Sequence, residues 1–231
     1  MKKYANNYGR VRAGLIIFIV LLSALAGKLI YQYADKASRL VNQAKELMNQ
    51  EKFDGALKIL DEALLADPEH IHSHYHRGIC LAERHRWDEA IAAFDRTIEL
   101  DNQEANAYFN KGKIYWHLKQ YDDAVKAFDL AIEHQGHLEE INRKTVWMLL
   151  GECFYETHLD KLANSPDQAT PPSRAIAAYK TYIKERPGAP DRKAIEQRIE
   201  ILSDPEKFKE IVAKRKKGTK TRLEDLLPAK R

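Results

Sequence analysis

A short phrase of sequence occurs three times at intervals of 34 residues, and this period constrains the fold more than any other feature of the chain. The phrase consists of an aromatic residue, aspartate, any residue and alanine, and it begins at Phe53, Trp87 and Tyr121. Self-similarity at an interval of this size is the signature of proteins built from stacked structural repeats. The sequence therefore predicts one supersecondary unit and its copies.

Each unit contains two segments in which apolar residues recur at helical spacing. This spacing predicts two amphipathic helices per unit, and small residues such as Gly78 and Gly112 allow the helices to approach each other closely. The aspartates of the phrase, Asp54, Asp88 and Asp122, stand where the second helix of each unit begins. We therefore predict that their side chains cap the free backbone amides of that helix.

The pattern resembles the tetratricopeptide repeat, in which large apolar, small and large apolar residues are followed by alanine, a large residue and alanine. The residues that carry the resemblance are Leu40, Ala44, Leu47, Ala56, Leu60 and Ala63 in the first unit, and Tyr108, Gly112, Tyr115, Ala124, Phe128 and Ala131 in the third. The resemblance implies an all-α fold, a right-handed superhelical solenoid of helix-turn-helix repeats.

Repeat boundaries follow from this register. A tetratricopeptide domain is predicted at residues 31–188, with a capping helix at 189–202 and a basic C-terminal tail at 203–231. The predicted repeats span residues 37–70, 71–104, 105–138 and 144–188, and the fourth contains an insertion at 157–172. Asparagine, serine and proline residues in the insertion are typical of an exposed loop, which either contacts a partner or is a tolerated insertion.

An apolar stretch precedes the repeats. Residues 14–26 are uncharged, and the charged groups of Arg12 and Lys28 can extend to a membrane interface on either side. The stretch is then long enough to cross about 30 Å of hydrocarbon. We predict a basic flank at residues 1–12 and a transmembrane signal anchor at residues 13–30, so that one transmembrane helix precedes the solenoid.

Other interpretations of the anchor remain open. Ala24-Leu25-Ala26 fits the small-x-small site of a cleaved signal peptide, and a buried helix of a soluble domain is the third interpretation. Basic residues are more frequent on the N-terminal side of the stretch, by a narrow margin. The positive-inside rule therefore favours a cytoplasmic N-terminus with the repeats in the periplasm of a bacterial inner membrane. The alternatives are a soluble periplasmic protein and a cytosol-facing repeat domain.

The sequence contains no motif of a known catalytic site: it has no glycine-rich phosphate loop, no paired Cys-x-x-Cys and no Gly-x-Ser-x-Gly. We therefore expect a non-enzymatic protein without cofactors. Four histidines lie within residues 70–76, and His72 and His76, one helical turn apart, are weak candidates for a Zn²⁺, Ni²⁺ or Cu²⁺ site. Cys80 and Cys153 occupy the same position in units two apart, so we expect no disulfide.

The resemblance also implies a binding surface, because the first helices of tetratricopeptide repeats line a concave groove that holds a helix or an extended peptide. By repeat position, the candidate partner-binding residues are Val41, Lys45, Met48, His72, Tyr75, Asn106, Phe109, Asn110, Lys113, Trp116, Met148, Glu152 and Tyr155. The aromatic and thioether side chains among them are typical of interface hot spots. The alternative is that some of these residues pack against the next repeat or the capping helix.

One version of the repeat holds the C-terminal carboxylate of heat-shock chaperones with a Lys and an Asn in one unit, an Asn in the next, and a Lys and an Arg in the third. In units one to three of this chain those positions hold Val41, Lys45, His76, Asn106 and Asn110. In units two to four they hold Tyr75, Ile79, Asn110, Thr145 and Leu149. Only the middle Asn of the second register is kept, so we do not expect a chaperone-tail receptor.

The ends of the chain are basic. Residues 1–30 carry five basic residues and no acidic one, and residues 206–231 carry ten basic residues against four acidic ones, while the whole chain has a net charge of +4. The repeat body is therefore acidic. Near the C-terminus, Asp204-Pro205 can start a short helix with Phe208, Ile211 and Val212 on one side. A run of basic residues follows: Lys214, Arg215, Lys216 and Lys217.

Such a basic run is most often a solvated helix end, but it can also bind anionic lipid headgroups or an acidic protein. We expect no nucleic-acid partner. The anchor and the groove together predict a membrane-anchored scaffold or adaptor that binds a protein or peptide and helps to assemble or position a membrane-associated complex. The alternative is a cytosol-facing receptor or adaptor, similar in layout to organelle import receptors.

Overall fold

The computed structural model describes residues 22, 23, 25, 36–162 and 171–216, and all regular structure in this part of the chain is helical. The described part of the first helix, α1, covers residues 36–49. The helices that follow are α2 (Phe53–Ala66), α3 (Ile71–Glu83), α4 (Trp87–Leu100), α5 (Ala105–His117), α6 (Tyr121–Glu133), α7 (Glu140–Leu162), α8 (Ser173–Glu185), α9 (Arg192–Ser203) and α10 (Pro205–Lys216). The all-α prediction is confirmed for the described residues.

The chain forms two compact units, of which the first ends at Ala93 and the second begins at Phe94. In the first unit α2 packs against α3. In the second unit α5 packs against α6, α6 against α7, and α7 against α8, while α9 and α10 complete the packing at the C-terminal end. The first helices of the repeats are α1, α3, α5 and α7, and the second helices are α2, α4, α6 and α8.

The turn between the two helices of a repeat contains a left-handed residue. Glu51, His85 and Lys119 have φ angles of 58°, 57° and 60°. The next residue donates its backbone N–H to the carbonyl five positions earlier, over 2.9 Å from Lys52 to Leu47, 2.9 Å from Arg86 to Leu81 and 2.8 Å from Gln120 to Tyr115. This is the pattern of a Schellman motif, in which glycine normally occupies the left-handed position. The three turns therefore contain the same local strain.

Replacing Lys119 with glycine is expected to raise the free energy of unfolding by roughly 0.5–1 kcal/mol, because glycine adopts the left-handed conformation without the Cβ clash. The same substitution at Lys180, an exposed residue inside α8, is expected to lower it by about 1 kcal/mol, because glycine is unfavourable in a helix interior. Urea unfolding followed by circular dichroism measures both changes. Equal destabilisation by the two substitutions would contradict the assigned strain.

The aspartates of the repeated phrase lie inside the second helices. α2 and α6 begin at the aromatic residue of the phrase, and the preceding residue, Lys52 or Gln120, is the N-cap and forms no side-chain capping bond. The prediction that Asp54, Asp88 and Asp122 are N-caps is therefore wrong. All three occupy the first turn, where the positive end of the helix dipole stabilises a carboxylate.

Two glycines allow a first helix to approach the second helix of the same repeat. A Cβ atom added to Gly112 of α5 would lie 2.6 Å from Cε1 of Phe128 in α6. A Cβ atom added to Gly151 of α7 would lie 2.5 Å from Cε1 of Tyr179 in α8. Both rings are fully buried. The small residue of the repeat pattern is therefore required by the aromatic ring that packs on it.

The C-terminal helices belong to the core of the second unit. α7 continues for 23 residues to Leu162, whereas α3 and α5 have 13 residues each. Phe208, Ile211 and Val212 of α10 are at most 2% exposed and join one apolar cluster with Tyr155 and Leu159 of α7. Residues 205–216, which the sequence pattern assigned to the tail, are thus a packed helix with these three residues on its buried side.

The predicted signal anchor lies outside the described residues, apart from positions 22, 23 and 25. The N-terminal flank, residues 163–170 of the insertion and residues 217–231 also lie outside them. Among the residues that are described, no helix has both the length and the apolar composition needed to cross a membrane.

Candidate functional site

The candidate groove residues fall into two groups by exposure. Four of them are buried, namely Val41, Asn106, Phe109 and Tyr155. The others are half-buried or exposed: Lys45, Met48, His72 and Tyr75 in the first unit, and Asn110, Lys113, Trp116, Met148 and Glu152 in the second. A partner can contact only the second group directly.

Phe109 and Tyr155 are each 2% exposed. The Phe109 ring lies 5.8 Å from the Phe128 ring, inside a cluster formed by α5, α6 and α7. Tyr155 belongs to the neighbouring cluster, which α8, α9 and α10 complete. These two aromatic residues hold the helices together, which is the alternative that the sequence pattern left open for some of the groove positions.

The side-chain amide of Asn106 forms all of its hydrogen bonds with other groups of the protein. Its Nδ2 donates to Oε1 of Glu104 over 3.0 Å and to the carbonyl of His137 over 3.1 Å. Its Oδ1 accepts from the backbone N–H of Glu139 and from Nδ2 of Asn142, both over 3.0 Å. The amide has two donors and two acceptor lone pairs, so no capacity remains for a partner. Asn106 therefore fixes the start of α7 to the start of α5.

Replacing Asn106 with alanine is expected to lower the free energy of unfolding by about 1–2 kcal/mol, because the groups that it satisfies lose their buried partners. Gln197→Ala, which removes an exposed amide from α9 of the same unit, is the matched control and is expected to change stability by less than about 0.5 kcal/mol. Thermal and urea unfolding measure both. Similar effects for the two variants would contradict the structural role of Asn106.

Glu152 is paired with the capping helix. Nη1 of Arg198 in α9 donates to Oε1 of Glu152 over 3.2 Å, and the guanidinium also lies 5.6 Å from the ring centroid of Tyr179. Arg198 is only 8% exposed. α9 therefore covers this position of the fourth repeat and neutralises its carboxylate.

Trp116, Met148 and Lys113 are accessible residues of the predicted groove in the second unit. Trp116 and Met148 are half-buried and pack against the apolar clusters beneath them. The ammonium group of Lys113 lies 5.9 Å from the ring centroid of Phe109, on the helix that carries Trp116. This surface combines a large aromatic ring, a flexible thioether and a positive charge, which suits an apolar segment that carries an acidic residue.

His76 is a titratable group of the first unit with a strongly perturbed environment. Its Nδ1 is buried and forms no hydrogen bond within the described residues. Burial, followed by the positive charges of Lys45, His72 and His70, lowers the pKa of His76 to about 4. The ring is therefore neutral at physiological pH. Sequence patterns give no sign of this, because the missing partner is visible only in three dimensions.

The neighbouring histidines have structural contacts. Nδ1 of His70 accepts from the backbone N–H of Ser73 over 3.3 Å, which caps α3, and Nε2 of His74 lies 2.9 Å from the carbonyl of Pro68. Within the described ranges, no group of three or more His, Cys, Asp or Glu side chains is placed to hold a metal ion. The weak metal candidates, His72 and His76, therefore have no third protein ligand in this part of the chain.

Both cysteines are core residues. Cys80 and Cys153 are free and fully buried. Burial raises the pKa of each thiol to about 12, so neither is a reactive nucleophile at neutral pH. Their environment explains why the helical pattern tolerates cysteine at a position that alanine or another small residue could fill.

A cavity of about 200 Å³ lies between α7 and the beginning of α8. Phe154, Thr157 and His158 line one side of it, and residues 171–175 line the other. The guanidinium of Arg174 lies 3.9 Å from the ring centroid of Phe154. The cavity adjoins the insertion in the fourth repeat, and the sequence pattern did not predict it.

The C-terminal basic run is only partly within the described residues. Nζ of Lys214 pairs with Oε1 of Glu210 over 2.7 Å, so this charge is already balanced on the surface of α10. Lys217 lies outside the described residues. The predicted contact of this run with anionic lipid or an acidic protein therefore stays a prediction.

A family model described as tetratricopeptide repeat matches residues 41–105 and 83–136. No curated protein matches the sequence significantly. Among solved structures, MamA from Desulfovibrio magneticus RS-1 is similar with a TM-score of 0.59 and 18% identity, over 80% of this chain and 93% of that one. A Thermobaculum terrenum O-GlcNAc transferase mutant is similar with a TM-score of 0.52 and 15% identity, over 66% of this chain and 26% of that one.

The type III secretion chaperone SycD from Yersinia enterocolitica, solved in complex with a peptide of the translocator YopD, is also similar. Its TM-score is 0.50 and its identity 18%, over 53% of this chain and 95% of that one. At such identities the structures show a shared fold and no shared activity. The family model and the fold together support tetratricopeptide repeats in residues 41–136, a fold of the kind that serves protein interaction.

Proposed function

We propose that this chain is a non-enzymatic, membrane-anchored scaffold or adaptor that binds a protein or peptide on the first helices of its repeats. The observation that carries the proposal is the division of the predicted groove into packed and accessible residues. Tyr75 and Met48 in the first unit, and Trp116 and Met148 in the second, stay accessible although large apolar side chains favour burial. Such side chains are typical of the surface that binds a partner.

The likeness to SycD supports a peptide ligand, because that protein is solved with a bound translocator peptide. The thiols of Cys80 and Cys153 are buried and stay protonated at neutral pH, and the described residues contain no cluster of three or more metal-ligating side chains. A binding role therefore accounts for the accessible side chains with the fewest further assumptions.

A photo-crosslinking amino acid at position 116, in the full chain in intact cells, tests the proposed surface. We expect it to capture a discrete partner, whereas the same probe in place of Leu65, which is 85% exposed on α2, is expected to capture none. In the chain that carries the probe at position 116, the further substitution Met148→Ala should weaken the capture of the partner. Leu65→Ala in the same chain should leave the capture unchanged. Equal capture from positions 116 and 65 would refute a binding surface on the first helices.

The proposal includes an anchor at residues 13–30 with a cytoplasmic N-terminus and periplasmic repeats. The uncharged stretch and its basic flanks support it. Protease added to intact spheroplasts should digest the repeats, and the undigested chain should remain in the membrane fraction. Protection from protease would instead favour a cytosol-facing receptor or adaptor, and a soluble, shortened chain would favour a cleaved signal peptide.

A further inference from the structure

The cavity between α7 and the beginning of α8 is lined on one side by a single face of α7. Phe154, Thr157 and His158 are spaced by three and four residues, so they lie together on that face. None of them is a predicted partner-binding residue, and helical spacing places Met148 and Glu152 on another face of the helix. The cavity is therefore separate from the predicted groove.

Arg174, in the first turn of α8, supplies a positive charge to the cavity. Its guanidinium carbon lies 3.9 Å from the ring centroid of Phe154, so the planar group lies against the ring in a cation–π contact. This contact uses one face of the guanidinium and leaves the N–H groups at its edge able to donate. Within the described part of the chain, the guanidinium forms no ion pair and no hydrogen bond.

Asp129 of α6 is an acidic group within electrostatic range of Arg174. Burial raises the pKa of the Asp129 carboxyl, and the positive charge of Arg174 acts in the opposite direction with a smaller effect. The two side chains interact through space and form no ion pair. The charge of Arg174 is therefore only partly offset, and its donors remain available to an anion from outside the chain.

The rest of the lining is largely apolar and fixed in place. Pro171, Pro172 and Ala175 line the cavity beside Arg174, and the His158 ring on the opposite side lies 5.7 Å from the Phe208 ring of α10. The volume is about 200 Å³. A cavity of about 150 Å³ holds benzene, so there is room for a ring that carries a small charged group.

We propose that this cavity binds a small free molecule in which an oxyanion, phosphate or carboxylate, is carried on a flat apolar ring. The oxyanion accepts hydrogen bonds from the edge of the Arg174 guanidinium, whose fork of donors matches two oxygens of either group. The ring of the ligand packs against Pro171 and Pro172. The inference goes beyond the proposed function and does not depend on it, because the cavity contains no residue of the predicted groove.

Titrations of the detergent-solubilised full chain, followed by saturation-transfer NMR of the ligand, test the proposal. Phenyl phosphate and benzoate combine a ring with an oxyanion, methyl phosphate keeps only the oxyanion, and phenol keeps only the ring. We expect phenyl phosphate or benzoate to bind at least about ten-fold more tightly than methyl phosphate and phenol, because only the combined probes make both kinds of contact. The tighter of the two identifies the preferred oxyanion.

Four variants distinguish the site from general electrostatic attraction. Arg174→Met should weaken binding of the preferred probe at least about ten-fold, because the charged donors are lost. Arg174→Lys keeps the charge but not the planar fork, and should weaken binding about three-fold or more. Lys180→Met, which removes an exposed charge further along α8, should leave the affinity unchanged. Asp129→Asn should strengthen binding about two-fold, because it removes an opposing charge.

Equal affinity of the natural chain and the Arg174 variants would overturn the proposed site. Saturable binding by neither phenyl phosphate nor benzoate would also overturn it, and so would binding of phenol as tight as theirs. Circular dichroism checks that the helices are intact, and if Arg174→Met lowers the helical signal, Arg174→Lys and Asp129→Asn decide the outcome. The groove is tested separately, by the capture of a partner from the probe at position 116.

Discussion

Replacing Phe109 with alanine is expected to lower the free energy of unfolding by about 3–5 kcal/mol, the usual cost of truncating a large aromatic residue in a core. The ring is 2% exposed, lies 5.8 Å from the Phe128 ring and belongs to the cluster that joins α5, α6 and α7. Trp116→Ala on the same helix should cost less, because part of the indole already faces solvent. Urea unfolding followed by circular dichroism measures both losses.

Phe109→Leu is the matched control, since it keeps an apolar side chain and is expected to cost less than about 1.5 kcal/mol. A loss below about 1 kcal/mol for Phe109→Ala would show that the ring is not part of the core. The prediction also determines how binding is tested. A partner lost from the Phe109→Ala variant reports unfolding, whereas a partner lost on truncation of Trp116 or Met148 reports the surface.

Nearest-neighbour packing explains why the 34-residue period predicted so much of the fold. Gly112 and Phe128 both belong to the repeat pattern, and the glycine is small because the aromatic ring packs directly on it. Contacts of this kind join the two helices of one repeat, so each unit contains most of the information needed to form them. Helix type and pairing therefore follow from local sequence.

Local sequence does not determine which side chains of the predicted groove are exposed. Helical periodicity places Phe109 and Trp116 on one face, but it does not specify which elements cover that face. Tyr155 is buried in a cluster that includes Phe208, more than fifty residues later in the sequence, and Glu152 is paired with Arg198 of the capping helix. Contacts at such separations depend on how the C-terminal helices pack, which no repeat pattern encodes.

The sequence did not predict the left-handed turns or the buried imidazole of His76, and the reason is different. Glu51, His85 and Lys119 are left-handed although glycine is the residue that signals this conformation, so the sequence contains no marker for it. His76 occupies an ordinary helical position, and only the surrounding atoms show that one of its nitrogens is buried without a partner. Both features are properties of the environment of a residue and not of its type.

Acidification is expected to destabilise the first unit through His76 by about 2–3 kcal/mol, allowing for the partial exposure of the ring. The pKa of His76 is lowered to about 4 in the folded chain, against about 6.5 for the unfolded chain. The unfolded chain therefore binds the proton first. The contribution of the neutral His76 ring to the free energy of unfolding is fully present above about pH 6.5. It decreases as the pH falls and is lost below about pH 4.

The measurement is the free energy of unfolding in urea at a series of pH values for the natural chain and for His76→Gln. The difference between the two chains removes the contribution of groups that they share, including His70, whose pKa burial also lowers. This difference should change most between about pH 6.5 and about pH 4. A difference that is independent of pH would show that His76 is not held neutral in the folded protein.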